Sequence, residues 1–140
     1  MSFAAQLGKR LRGDEIFNLV GDLGAGKTTF VTGLVSGAGI SEPVSSPSFT
    51  LRNDYRGKNI HIVHYDLFRL NDRTELGELL SETLNEANTV IAIEWSGALA
   101  GMLPKERTIT ISLKAASEED LRIAEINFPE NYEYLVRKEK

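Results

Sequence analysis

Between the apolar run Ile16-Phe17-Asn18-Leu19-Val20 and a segment of helical apolar spacing lies Gly21-Asp22-Leu23-Gly24-Ala25-Gly26-Lys27-Thr28. This Gly-x-x-x-x-Gly-Lys-Thr pattern constrains the chain more than any other feature, because it predicts a strand, an anion-binding loop and a helix in immediate succession. Glycines let a backbone bend round an anion without Cβ clashes, so that its N–H groups and the N-terminus of the next helix face the charge. Asp22, Leu23, Gly24, Ala25, Gly26, Lys27, Thr28 and Thr29 are therefore the expected phosphate cradle. Lys27 supplies a mobile cation for the β- and γ-phosphates, and the Thr28 hydroxyl is placed to ligate Mg²⁺. The chain has no Asn-Lys-x-Asp base-reading motif. Asp54-Tyr55-Arg56-Gly57 fits only a degenerate Asp-x-x-Gly pattern and falls at an expected turn. ATP is favoured over GTP on that ground.

The remaining chain reads as an α/β fold. Phe3, Leu7 and Leu11 recur at helical spacing and predict a short helix ending at Gly13. A strand-like run from Glu15 to Val20 enters the Gly-rich segment, and a helix is expected from Thr28 to about Ser36. Ser41 to Ser48, rich in serine and holding Pro43 and Pro47, reads as a loop. Phe49-Thr50-Leu51, continuing to Tyr55, and Asn59 to Tyr65 read as an antiparallel hairpin turning at Gly57. One or two helices are expected from Thr74 to Asn88, then a strand buried on both faces at Thr89–Ile93. Thr108–Leu113 alternates as a half-exposed strand, Arg122–Phe128 is its expected partner, and Asn131–Lys140 reads as a terminal helix. The expectation is a single P-loop NTPase domain over residues 1–140, with a mixed parallel and antiparallel sheet flanked by helices. The length of 140 residues suits one domain of roughly 100–200 residues.

A magnesium nucleotide site calls for carboxylates at strand ends near the phosphate loop. Glu94 ends the most apolar run and Asp66 ends the 60–65 segment. Either holds Mg²⁺, directly or through water, and the other orients the attacking water. Hydroxyls of the loop from Ser45 to Thr50, among them Ser46, Ser48 and Thr50, are candidates to order around the γ-phosphate. Trp95, the single tryptophan, is either a packing residue or a rim aromatic against a partner. Arg69 pairs with a phosphate or with carboxylates such as Glu75 or Glu78. His61 and His64 are three apart on a strand and face opposite sides, so they form no joint metal site and are read as structural.

Composition narrows the chemistry further. Zero cysteines exclude disulfides, thiolate metal sites and cysteine nucleophiles. A formal net charge of −4 without a basic stretch argues against direct grip on nucleic acid through phosphate neutralisation. No apolar run approaches the ~20 residues that span a bilayer, and the start lacks the order of a secretory signal, so a cytoplasmic protein is expected.

Four blocks then align with a known family: Gly21–Thr29, Val44-Ser45-Ser46-Pro47-Ser48-Phe49-Thr50-Leu51, His64-Tyr65-Asp66-Leu67-Phe68-Arg69-Leu70 and Ile93-Glu94-Trp95. In order and spacing they resemble the bacterial TsaE (YjeE) ATPases of tRNA threonylcarbamoyladenosine biosynthesis, over about residues 13–97. Ser48 stands where the family often has Thr, which keeps a hydroxyl. Phe68 stands where it often has Tyr, so that phenol is missing here. The resemblance implies ATP and Mg²⁺ as cofactors, weak ATPase activity raised by partners, Lys27 and Thr28 for phosphate and metal, and Asp66 and Glu94 for metal and catalysis. It further implies Ser46–Thr50 as a switch segment and Trp95 as a position tied to function. The implied partners are the TsaD and TsaB subunits, whose complex modifies adenosine 37 of tRNAs reading codons that start with A. The chain itself would touch tRNA only indirectly and would reset the complex between turnovers.

Two other readings compete. A small-molecule kinase needs an arginine-bearing lid and an acceptor pocket, whereas the nine arginines here are scattered. A nucleotide-gated binding module would bind ATP with negligible hydrolysis.

Overall fold

The computed structural model describes residues 2–21, 26–47, 51–67, 74–94, 97–115 and 121–137. Helix α1 (Phe3–Lys9) precedes strand β1 (Ile16–Val20) and helix α2 (Lys27–Gly37). Strands β2 (Arg52–Arg56) and β3 (His61–Asp66) follow, then helix α3 (Thr74–Leu84) and strand β4 (Thr89–Glu94). A 3₁₀ turn at Gly97–Met102 leads to β5 (Thr108–Ala115) and β6 (Leu121–Asn127), and a second at Glu130–Leu135 follows. The strands form one six-stranded sheet in the order β2-β3-β4-β1-β5-β6. Its four inner strands run parallel, and an antiparallel hairpin partner closes each edge. This is the mixed α/β sheet expected from the sequence.

Side-chain alternation assigns the two faces. Phe17, Leu19, Ile62, Val90, Ala92, Ile109 and Ile111 pack with α1 and α2 through Leu7, Phe30 and Leu34. The alternate set Ile16, Val63, Tyr65, Ile91 and Ile93 packs against Leu80 of α3 and Leu103. Every residue of β4 is buried, as a central parallel strand covered on both faces requires. Over residues 108–114 of β5, Ile109, Ile111 and Leu113 are buried while Thr108, Thr110 and Ser112 are part-exposed and Lys114 exposed, which matches the alternation of the sequence.

Helices α1 and α2 meet through small residues. A Cβ on Gly37 would stand 2.0 Å from the Ala5 carbonyl oxygen, so only glycine fits there. α1 ends at Lys9 rather than running towards Gly13, with Arg10 N–H donating back to Leu7 (2.9 Å). The chain then wraps the buried Glu15 carboxylate, which accepts the backbone N–H groups of Arg12 (2.7 Å), Gly13 (2.9 Å) and Asp14 (3.1 Å) and the Tyr134 hydroxyl. Glu15 is thus an anchor ahead of the strand rather than its first residue.

Two further expectations are corrected. Leu51 is not in a strand: its φ of 66° is left-handed, and β2 begins one residue later. Phe49 and Thr50 lie outside the described residues. The terminal segment is a 3₁₀ turn at 130–135 rather than a helix over 131–140. Three residues per turn stack Tyr132 and Leu135, both buried, on one side. The Leu135 carbonyl accepts from Arg10 Nη1 (2.8 Å) instead of from a further helical turn.

Candidate nucleotide site

Parallel strands bring their carboxyl ends to one edge of the sheet, where ligands of open α/β folds bind. β1 delivers the chain to Gly21 there, and α2 starts back at Lys27. Gly26 caps α2 with φ 93°, a conformation that a side chain would strain. Lys27 is buried, and its Nζ donates to the Gly21 carbonyl at 2.8 Å, spanning the motif from end to end. Thr28 is part-exposed and Thr29 exposed at the helix start, while the Gly26 carbonyl accepts the first helical bond from Phe30 (2.9 Å). Asp22, Leu23, Gly24 and Ala25 lie outside the described residues.

Asp66 and Glu94 stand beside each other. They are partners in the β3–β4 register, and Glu94 also pairs with Leu19 of β1, so the two acids lie side by side on one side of the strand that leads into the motif. Their exposures are 6% and 4%. Two neighbouring carboxylates at that depth repel unless cations compensate them. Lys27 brings one cation to the same edge, and the oxygen donors of Thr28, Asp66 and Glu94 form a hard set suited to Mg²⁺ rather than to softer metals. Among the described residues no group of three or more His, Cys, Asp or Glu gathers as a metal site.

The Ser-rich loop is tied to Asp66. Ser46 Oγ lies 3.5 Å from Asp66 Oδ2, a long contact. Leu51 N–H donates to Pro47 (2.7 Å), and the Leu51 carbonyl accepts from Asp66 N–H (3.0 Å). Pro47 is thus linked to Asp66 through two successive backbone bonds. Ser48, Thr50, Trp95 and Arg69 are outside the described residues.

One histidine read as structural contacts Glu94. His64 is fully buried, and its Nε2 hydrogen-bonds Glu94 Oε2. The signal was in the spacing: His64 and Asp66 are two apart on a strand and share a face. His61, on the other face, instead meets Asp54 Oδ2 at 3.0 Å. Asp54 also takes a two-pronged contact from Arg52 (2.7 and 3.0 Å). That guanidinium holds the Asp54 carboxyl below the usual carboxylate range, against the opposing effect of burial.

At the opposite end of the strands a cleft of about 730 Å³ is lined by Arg12, Asp14, Arg107, Tyr132 and Tyr134 among others. Several of its polar groups engage one another. Arg107 donates to the Asp14 and Leu84 carbonyls (3.0 and 2.9 Å), Tyr132 to Asp14 Oδ2 (3.1 Å), and Arg12 stacks on Tyr134. It braces the fold and shares no residue with the carboxyl edge.

Known proteins place this arrangement. The family model described as "Threonylcarbamoyl adenosine biosynthesis protein TsaE" matches residues 1–123. The tRNA threonylcarbamoyladenosine biosynthesis protein TsaE of Bacillus subtilis is 34% identical over 121 residues, covering 86% of this chain and 75% of that protein. Its namesake in Treponema pallidum is 37% identical over 112 residues, covering 80% and 82%. A Nostoc relative of the same name reaches 44% over 93 residues, covering 64% of this chain and 57% of its own length. The crystal structure of Bacillus subtilis YdiB superposes with a TM-score of 0.75 at 29% identity, covering 96% of this chain and 82% of that one. With the glycine-lysine motif, the paired acids and the hairpin-edged sheet in the same chain, the protein belongs to the TsaE family of threonylcarbamoyl adenosine biosynthesis proteins.

Proposed function

We propose that this chain is a single-domain, cytoplasmic, Mg²⁺-dependent P-loop ATPase of the tRNA threonylcarbamoyladenosine machinery. It acts on a TsaB–TsaD complex to permit repeated turnovers and does not itself transfer the threonylcarbamoyl group. The observation that carries this reading is the convergence of a buried Lys27 at the start of α2 with Asp66 and Glu94 paired side by side at the same sheet edge.

In this reading Lys27 leaves the Gly21 carbonyl to neutralise the β- and γ-phosphates, and the α2 N-terminus adds its dipole. Thr28 and one of the two carboxylates, Asp66 or Glu94, hold Mg²⁺, directly or through water; when bound, the ion offsets charge on the phosphate oxygens. The carboxylate not committed to metal orients a water in line with the γ-phosphate. Ser46, Ser48 and Thr50 close over that phosphate as a switch, and Trp95 faces a partner. A net charge of −4 supports a component that leaves tRNA to its partners, and among the described residues no helix is long and apolar enough to cross a membrane.

Two substitutions test the assignment. Lys27→Ala should abolish ATP binding measured by calorimetry. Glu94→Gln should keep ATP affinity within a few-fold while lowering hydrolysis by roughly 100-fold or more, as loss of a positioned base typically does. Unimpaired hydrolysis in either variant would sink the proposal.

A further inference from the structure

His64 has no exposed surface, and its ring lies on the sheet face that carries Asp66 and Glu94. Nε2 bonds Glu94 Oε2, whereas Nδ1 is buried without a hydrogen-bond partner among the described residues. A carboxylate only accepts, so the ring hydrogen in this pair belongs on Nε2; placed on Nδ1 it would be a buried, unsatisfied donor. Ala92 stands opposite His64 in the register, and Glu94 follows two residues on, on the same face. The single methyl of Ala92 leaves room for the imidazole to lean along the sheet towards that carboxylate. Glu94 Oε1 makes no hydrogen bond with any described residue, while Oε2 is taken by His64.

We infer that His64 is a positioning residue for Glu94, holding Oε2 so that Oε1 alone is presented, in one orientation, to the nucleotide end of the sheet. This rests on the ATPase reading above, in which Glu94 serves the reacting phosphate. A glutamate at a strand end has three side-chain torsions, and without a partner its oxygens spread over several rotamers. Misplacing a reacting group by 1 Å forfeits on the order of 100-fold in rate. Removing a hydrogen-bond partner that stands behind a functional ligand typically lowers activity by about 10–100-fold. A purely structural histidine would instead change stability and leave the ratio of binding to turnover alone.

The test pairs a ring measurement with kinetics. Long-range ¹H–¹⁵N spectra of the free chain should show His64 protonated on Nε2, with a ring shift that moves in Glu94→Gln. A proton on Nδ1 overturns the inference whatever the nucleotide does. In single-turnover hydrolysis with Mg·ATP, His64→Leu should slow the step about 10–100-fold, with ATP affinity unchanged within about threefold. His64→Gln, whose amide can return a donor to Glu94, should recover most of the rate. In a Glu94→Gln background, removing His64 should add nothing, because residues that act as one unit are not additive. Equal rates for His64→Leu and the wild type, or an undiminished loss in the Glu94→Gln background, overturn the inference. Should His64→Leu not fold, His64→Asn, whose shorter amide stops short of Glu94, takes its place with the same expectation. A wild-type chain that neither binds nor hydrolyses ATP fails the ATPase reading instead, and the ring spectra still decide the hydrogen bond.

Discussion

Gly37→Ala probes the contact between α1 and α2, the helix that begins at Lys27. The added Cβ would stand 2.0 Å from the Ala5 carbonyl oxygen, 2.7 Å from its carbon and 2.8 Å from Ala5 Cα. All three atoms are backbone, so no rotamer change relieves the clash, and α1 must retreat by roughly 1 Å or more from a close-packed interface. Overpacking of this kind costs about 1–3 kcal/mol, and a rigid backbone neighbour places Gly37 at the upper end. Replacing a helical glycine by alanine returns at most about 1 kcal/mol of propensity. The net expectation is a loss of about 2 kcal/mol, or a fall of roughly 6–10 °C in Tm for a chain of this size. Denaturant unfolding should show a lower midpoint with an unchanged slope, the mark of altered stability without altered exposure. Ser36→Ala, exposed on the same helix, is the control and should stay within about 0.5 kcal/mol of wild type. Since α2 starts at Lys27, its displacement should also weaken ATP binding. A Gly37→Ala chain as stable as the wild type would refute the packing argument.

Other perturbations follow from the charged clusters. Arg52 holds the Asp54 carboxyl below its unfolded value of about 4. The stability this contributes is present above that value and is lost as pH falls through the folded one. Asp54→Asn should flatten the acid limb of a stability-against-pH curve and cost roughly 1 kcal/mol at neutral pH, as a part-exposed bidentate pair does. At the alkaline end, burial first and the neighbouring Asp14 charge second push the Tyr132 hydroxyl up to about 12, and Tyr134 is raised by burial and by Glu15. The unfolded chain releases these protons near pH ~10. Stability should therefore be full below ~10 and fall as pH rises through the folded values, with a shallower fall in Tyr132→Phe. Chemical denaturation at several alkaline pH values reads both slopes.

Much of the fold was legible because its signals are local. Apolar runs marked β1 and β4, period-2 alternation marked β5, the glycine-lysine motif predicted what joins β1 to α2, and the hairpin turned at Gly57 as its sequence implied. Both edge pairings, β2 with β3 and β5 with β6, were legible, whereas the full strand order was not, since it arises from long-range pairing that no single segment encodes. Glu15 misled because its apolar neighbours suggested a strand, whereas its carboxylate gathers three N–H groups of the preceding turn. Leu51 misled because nothing in its side chain signals a left-handed backbone; the Pro47 and Asp66 bonds impose it. In the site, Asp66 and Glu94 were found as strand-ending acids, and their adjacency came from parallel register. The contact between His64 and Glu94 was not foreseen because His64 was weighed against His61 in sequence, while its partner lies on the neighbouring strand.

The measurement that bears most directly on the account is ATP turnover of the purified chain titrated with a TsaB–TsaD complex in the presence of Mg²⁺. The rate should rise with the complex and saturate, and Lys27→Ala should remain at baseline throughout. A flat titration at concentrations where binding is demonstrated would contradict the claim that this carboxyl-edge site is a partner-driven ATPase.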